Sequence, residues 1–289
     1  MKKIMLICAF LLLAAFSRRL PIIVAAAEAK PELDTQALTY QGKEVQLPII
    51  MYHLITERPK FIGKFGISSA QFREDLQYLR DNDYNTIVMQ DLISFVNYQG
   101  ELPENPIMLT FDDGNFSDYE YLFPLLQEFE MKAVIAIIGE ATDSATKEQE
   151  ANPRVRSGNL TWSQVAEMHE SGYIEVQNHS HNLHKPPIGS GKKRGEPTET
   201  YHTRLYADLS CLQESCSLKI NHTPTVFVYP LGVIAEDSRK VCEELGMVGS
   251  LSCLEGMNTI KQGDADCLFR LRRVNRSSKC GIKQILDKL

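Results

Sequence analysis

No block of like charge occurs anywhere in the sequence: 31 Lys and Arg are interspersed with 37 Asp and Glu, for a formal net charge of −6. A basic patch able to neutralise phosphates is therefore missing, and nucleic acid is not an expected partner. Tryptophan occurs once, at Trp162, before an amphipathic stretch where a core or helix-start role outweighs sugar stacking. No cysteine pair sits near a histidine pair at zinc-finger spacing, which leaves a structural zinc module without support. The hydrophobic share of 43% and charged share of 24% exclude disordered, collagenous and coiled-coil classes. Histidine is scarce, with 7 in 289 residues and none beyond His222.

What is present begins with a leader. Lys2 and Lys3 precede an apolar run from Ile4 to Phe16, and Ala25-Ala26-Ala27 supplies small residues before Glu28. This reads as a signal peptide over residues 1–27, hence export, with membrane contact only if it stays uncleaved. Arg18 and Arg19 interrupt the run, against the roughly 20 apolar residues of a membrane anchor. Cys8 falls in the leader. Cys211, Cys216, Cys242, Cys253, Cys267 and Cys280 remain, an even number that permits disulfides in an exported protein but is equally compatible with free thiols. The polar stretch 28–46 reads as a linker, and 47–289 as a single domain.

Within that domain, apolar runs of strand length alternate with segments of helical period. Leu47–Leu54 reads as a buried strand; a helix capped by Ser69 carries Phe72, Leu76 and Leu79; Asn85–Met89 is a strand and Gln90–Tyr98 a helix. Strands at 106–111, 133–138, 173–177 and 224–229 then alternate with helices at 119–130, 162–171 and 200–218. Alternation of this kind implies an α/β fold with a parallel sheet, open or closed into a barrel, and chemistry at the carboxyl ends of the strands.

Polar residues gather at those ends. Thr110-Phe111-Asp112-Asp113-Gly114 runs an apolar strand into adjacent carboxylates; side chains alternate along a strand, so one acid can hold a metal while the other faces substrate. Asp-Asp-Gly is also ordinary turn chemistry. Asn178-His179-Ser180-His181-Asn182-Leu183-His184 places three histidines after another strand, and two of them with one aspartate would leave a metal an open position. Lys185–Pro197 reads as a mobile, solvated loop beside them.

In order, TFDDG, HSHNLH and Phe227-Val228-Tyr229-Pro230-Leu231-Gly232 resemble the NodB-homology polysaccharide deacetylases (carbohydrate esterase family four), specifically the exported poly-N-acetylglucosamine deacetylase branch. The resemblance spans about residues 47–289 and implies a distorted (β/α) barrel. It implies a divalent metal, zinc first, with cobalt, nickel, manganese or iron as alternatives, on Asp113, His179 and His184, with no role for His181. It also implies Asp112 as general base and the Leu231 backbone N–H as oxyanion donor, where the family often has tyrosine. Arg273, in Leu271-Arg272-Arg273-Val274, would orient the catalytic carboxylate. The family's C-terminal histidine is missing; Met51-Tyr52-His53 resembles the exported branch's alternative, with His53 as general acid.

The activity implied is hydrolysis of N-acetyl groups on a polymeric amino sugar outside a bacterial cell. Alternatives are a peptidoglycan deacetylase, an O-acetyl polysaccharide esterase, or a non-catalytic carbohydrate-binding protein. Asn115 lies in an Asn-x-Ser sequon beside the acids, where a glycan would obstruct the site, and this favours a bacterial source.

Overall fold

The computed structural model describes residues 42–156 and 158–289. The expected signal peptide and most of the expected linker lie outside the described residues. In chain order the elements are β1 (Glu44–Leu47), β2 (Ile49–Tyr52), β3 (Leu54–Ile55), β4 (Gly66–Ile67), α1 (Ser69–Asp81), β5 (Asn85–Ile87), α2 (Met89–Val96) and β6 (Pro106–Asp113). There follow α3 (Phe123–Phe129), β7 (Ala133–Ile137), α4 (Gly139–Ala151), α5 (Trp162–Glu170), β8 (Ile174–Asn178), α6 (Thr198–Ile220), β9 (Val226–Val228), α7 (Ser238–Glu244), β10 (Gly249–Leu251), β11 (Asn258–Lys261), β12 (Val274–Asn275) and α8 (Ile282–Leu286).

The main sheet is parallel in the order β10-β9-β8-β7-β6-β2-β12, with β5 also paired to β6. Its two edges meet. Ser252 N–H donates to Leu271 O and Leu271 N–H to Ser250 O, both at 2.8 Å, and Leu271 bridges Leu251 while β12 pairs with β2. The stretch 271–275 thus closes the curled sheet toward the distorted (β/α) barrel expected, in a single domain. β1 pairs with β11 from Glu44 onward, so paired structure starts inside the stretch read as linker.

Side-chain alternation divides the barrel into two apolar layers. Ile107, Leu109 and Phe111 of β6 pack outward with Ile50, Tyr52, Ile135 and Val176 against Phe72, Leu76 and Leu79 of α1 and Leu126 of α3. Met108 faces inward with Ile49, Val134, Val226, Val228 and Leu251. Each such large side chain taken wholly from water contributes about 1.5–3 kcal/mol. The same parity puts Asp112, Arg273 and, one residue past β8, His179 on the inner side of the barrel mouth.

Some local expectations shift. The cap of α1 is Ser68, not Ser69: its hydroxyl accepts from Gln71 N–H at 3.1 Å and the Gln71 amide oxygen answers the Ser68 N–H at 3.2 Å, a closed capping box. Helix α4 was not expected, because GEATDSATKEQEA carries almost no apolar period. All six described cysteines are free. The Lys185–Pro197 loop is tied down rather than loose, since Arg204 ion-pairs with Glu196 at 2.8 Å and donates to Gly191 O at 2.9 Å. No described helix is long and apolar enough to cross a membrane.

Candidate active site

The strand register brings the ends together: Asp113 pairs with Ile137, and Ile137 with Asn178, so the residues closing β6 and following β8 share one level of the barrel. Asp112 keeps strand parity and points inward, whereas Asp113 adopts φ 79° and turns its carboxylate out of that alternation. Gly114 follows at φ 65°, where a Cβ would lie 3.0 Å from Ile137 Cγ2; the turn that separates the two acids needs a residue without one.

Asp112 is 2% exposed and Arg273 0%. Arg273 Nη1 donates to Asp112 Oδ1 at 2.7 Å and Nη2 to Oδ2 at 2.9 Å, a bidentate fork, while Nε donates to Ser252 O at 2.8 Å and Nη1 also reaches Thr110 Oγ1 at 3.1 Å. Burial would raise the Asp112 carboxyl, but the Arg273 guanidinium and then His179 outweigh it and hold the group well below the usual carboxylate range. It is an anion whenever the protein is folded near neutral pH.

The His179 ring is buried, its Nδ1 2.8 Å from Val228 O, so that Nδ1–H donates and Nε2 carries its lone pair toward Asp113. His179 Nε2 lies 3.5 Å, and His184 Nε2 3.3 Å, from Asp113 Oδ1. That oxygen is buried and has no hydrogen-bond partner, and the three donor atoms lie within 4.8 Å of one another. An orphaned carboxylate oxygen facing two imidazole nitrogens, one of them fixed in tautomer by a carbonyl, is a donor set that fits a divalent cation of the zinc type. Burial alone would raise the Asp113 carboxyl, yet the nearby His179 imidazole outweighs it and holds the group below its usual value.

His53, one residue beyond β2, places Nε2 4.0 Å from Asp112 Oδ2, and burial pushes its imidazole down against the pull of Asp112 and Asp113. Leu231 follows Tyr229-Pro230 with φ 58° and lies 41% exposed on the same cavity. That cavity, of about 680 Å³, is lined by His53, Asp112, Asp113, His179, His184 and Leu231 among others. The residues singled out in the sequence therefore converge, Arg273 behind them and the rest around one cavity. His181 stays outside it; its ring packs where a Gly139 Cβ would stand, 2.4 Å from Nδ1.

Four contributors escaped the sequence reading. Asp208 of α6 accepts from His181 N–H at 2.8 Å and Asn182 N–H at 2.9 Å and so shapes the histidine loop. Asn115 donates to His53 O at 3.2 Å and Asp112 O at 3.3 Å, joining the two strand ends. Asn159 donates to Asp113 O at 3.4 Å and Gly114 O at 3.3 Å, holding the turn after β6. Asp118 is fully buried, and burial followed by the charge of Asp113 pushes its carboxyl well above the usual range. The only available hint was a polar residue after a strand-end glycine, for Asn115.

The polysaccharide deacetylase family profile matches residues 99–250, more than half of the chain. The chain belongs to the polysaccharide deacetylase family. It is 26% identical over 270 residues to the poly-beta-1,6-N-acetyl-D-glucosamine N-deacetylase of Escherichia coli O157:H7, covering 85% of this chain and 38% of that protein. It therefore spans well under half the length of that relative. The like-named protein of Staphylococcus aureus (strain MSSA476) is 22% identical over 205 residues, covering 71% of this chain and 67% of its own. Among solved structures, a de-N-acetylase from Aggregatibacter actinomycetemcomitans superposes with TM-score 0.72 at 24% identity, covering 85% of this chain and all of that one. The likeness fixes the deacetylase fold for the half-closed barrel described above. Members of this family are generally divalent-metal dependent, in keeping with the Asp113, His179 and His184 donor set.

Proposed function

We propose that this chain removes N-acetyl groups from a poly-N-acetylglucosamine-like polymer outside the cytoplasm. The reading is carried by one observation: the Asp113, His179 and His184 donor set opens on the same cavity as the Arg273-clamped Asp112 and the half-buried His53. The names of the relatives support the choice of polymer, and the leader-like sequence of residues 1–27 supports export.

Asp113 Oδ1, His179 Nε2 and His184 Nε2 would hold the metal, with zinc the first choice for this ligand set. When bound, a divalent cation supplies Lewis acidity toward the acyl oxygen and the water that attacks it. Asp112 accepts a proton from that water, its anionic state and orientation fixed by the Arg273 fork. The Leu231 N–H donates to the oxygen that gains charge as the acyl carbon becomes tetrahedral. His53 gives a proton to the amide nitrogen as the C–N bond breaks, releasing acetate and a glucosamine unit. Leu231 presents an isobutyl group to the cavity where the family often has tyrosine, which gives an acetyl methyl an apolar neighbour.

The test is acetate release from N-acetylglucosamine oligomers, from peptidoglycan and from an O-acetylated polymer by the zinc-loaded protein. Release from the oligomers alone is expected. Release only from the O-acetylated polymer makes the chain an esterase, and none from any polymer, with oligomer binding intact, makes it a carbohydrate-binding protein.

A further inference from the structure

We infer that Phe61 and Phe65 form a stacking platform for the sugar ring next to the one being deacetylated, selective for a neighbour that still carries its uncharged N-acetyl group. The inference rests on the deacetylase reading above and assigns a subsite within it.

Both rings are about half exposed, 46% for Phe61 and 48% for Phe65, yet both line the cavity that holds His53 and Asp112. Exposed aromatic side chains at the mouth of a cavity with a few convergent polar groups mark a ligand surface. An aromatic face is electron-rich and takes the C–H face of a pyranose, whose axial hydrogens carry partial positive charge. The cavity of about 680 Å³ far exceeds what a two-carbon acetyl group requires; it lies within the range of about 300–1,000 Å³ that encloses ligands of drug size. The Phe65 ring centroid is 4.8 Å from that of His53, so a ring lying on Phe65 adjoins the point where the amine departs.

The platform is built rather than loose. Leu54 N–H donates to Phe65 O at 3.0 Å, Gly63 N–H to Gly66 O at 2.9 Å, Ser278 N–H to Gly63 O at 2.9 Å, and the Asn275 side chain to Lys64 O at 2.8 Å. A Cβ at Gly66 would stand 2.1 Å from Phe61 O, so the loop folds back on itself only because that position is glycine. A surface held this way loses little entropy when a ligand lands on it.

Selectivity comes from the cations. Lys60 Nζ lies over the Phe61 ring, 4.7 Å from its centroid, and Lys64 Nζ over the Phe65 ring at 4.8 Å, so each ring carries an ammonium on one face and has one face left for a sugar. A deacetylated neighbour would bring an ammonium beside two others, whereas an acetylated one brings none.

The experiment measures kcat/KM for acetate release from the N-acetylglucosamine dimer and tetramer, with calorimetric tetramer binding alongside. Phe61→Ala/Phe65→Ala should lower the tetramer value about tenfold more than the dimer value, through KM, and weaken tetramer binding by a similar factor. Phe61→Tyr/Phe65→Tyr, which keeps the faces, should restore both. Lys60→Glu/Lys64→Glu should raise the rate on a partly deacetylated tetramer relative to the acetylated one. An unchanged tetramer-to-dimer ratio with unchanged binding overturns the platform. So does loss of pelleting with anionic vesicles in the alanine variant while tetramer binding stays intact, which would make the loop a lipid contact. If the wild-type protein releases no acetate, the deacetylase reading fails, and the calorimetric comparison still decides the platform.

Discussion

Replacing Arg273 by methionine tests the centre of the site most directly. The guanidinium is 0% exposed and makes four short hydrogen bonds, two of them to Asp112, which is itself 2% exposed. Methionine fills part of the space but leaves a carboxylate in the barrel mouth without a counter-charge. Removing one partner of a buried pair costs about 3–5 kcal/mol, mostly for the stranded charge, while replacing both partners by uncharged groups is often close to neutral. Arg273→Met is therefore expected to lower unfolding free energy by about 3–5 kcal/mol, and Arg273→Met/Asp112→Asn to regain a large part of that, both read from urea titrations. The pH dependence supplies the sign. In the wild-type protein the Asp112 carboxyl is lowered, so its stabilisation is present above the ordinary carboxyl range and lost as pH falls through the depressed value. Without Arg273, burial is opposed only by His179 and His53 and the group rises; the deficit should then be small in acid and grow as pH rises toward neutrality, by about 1.4 kcal/mol per unit of pKa elevation. A deficit below about 1 kcal/mol, or single losses that simply add in the double variant, would refute the reasoning.

His179→Ala should lose bound zinc, seen by elemental analysis after dialysis; undiminished zinc would remove it from the ligand set. Asp112→Asn should keep the metal and lose turnover, and full activity would sink its role as base. His53→Gln should slow amide cleavage by about 10²–10⁴-fold but spare hydrolysis of an activated acetyl ester, whose leaving group needs no proton; equal losses on both substrates would point to a structural role instead. Asp208→Ala should free the histidine loop and weaken zinc affinity about 10- to 100-fold without touching a ligand, and an unchanged affinity on chelator competition would refute that coupling.

The parts of this site that the sequence displays are those at strand ends, where a compact apolar run stops at a polar residue. His53, Asp112, Asp113 and His179 all announce themselves in that way, because strand parity and the parallel register do the positioning. Arg273 is different. It becomes meaningful only once the barrel closes and sets it against an acid 161 residues away, so resemblance alone pointed to it. Asp208 looks like any surface acid of a helix until α6 packs over the histidine loop. Helix α4 went unseen for a related reason: it buries only Gly139, Thr142 and Ala145, too little apolar surface to leave a period.

The stretch that closes the barrel also bears on how the protein matures. Arg273 clamps Asp112 from inside, and three residues later Arg276 forks Asp75, with Nε at 2.7 Å and Nη2 at 3.0 Å, while Tyr52 donates to the same carboxylate. Two buried acids thus wait for arginines synthesised 161 and 201 residues after them. Until then neither acid has its guanidinium, and β12 is not yet there to pair with β2. The clamp on Asp112 therefore forms late in the synthesis of this domain, as the step that completes the barrel rather than the one that starts it.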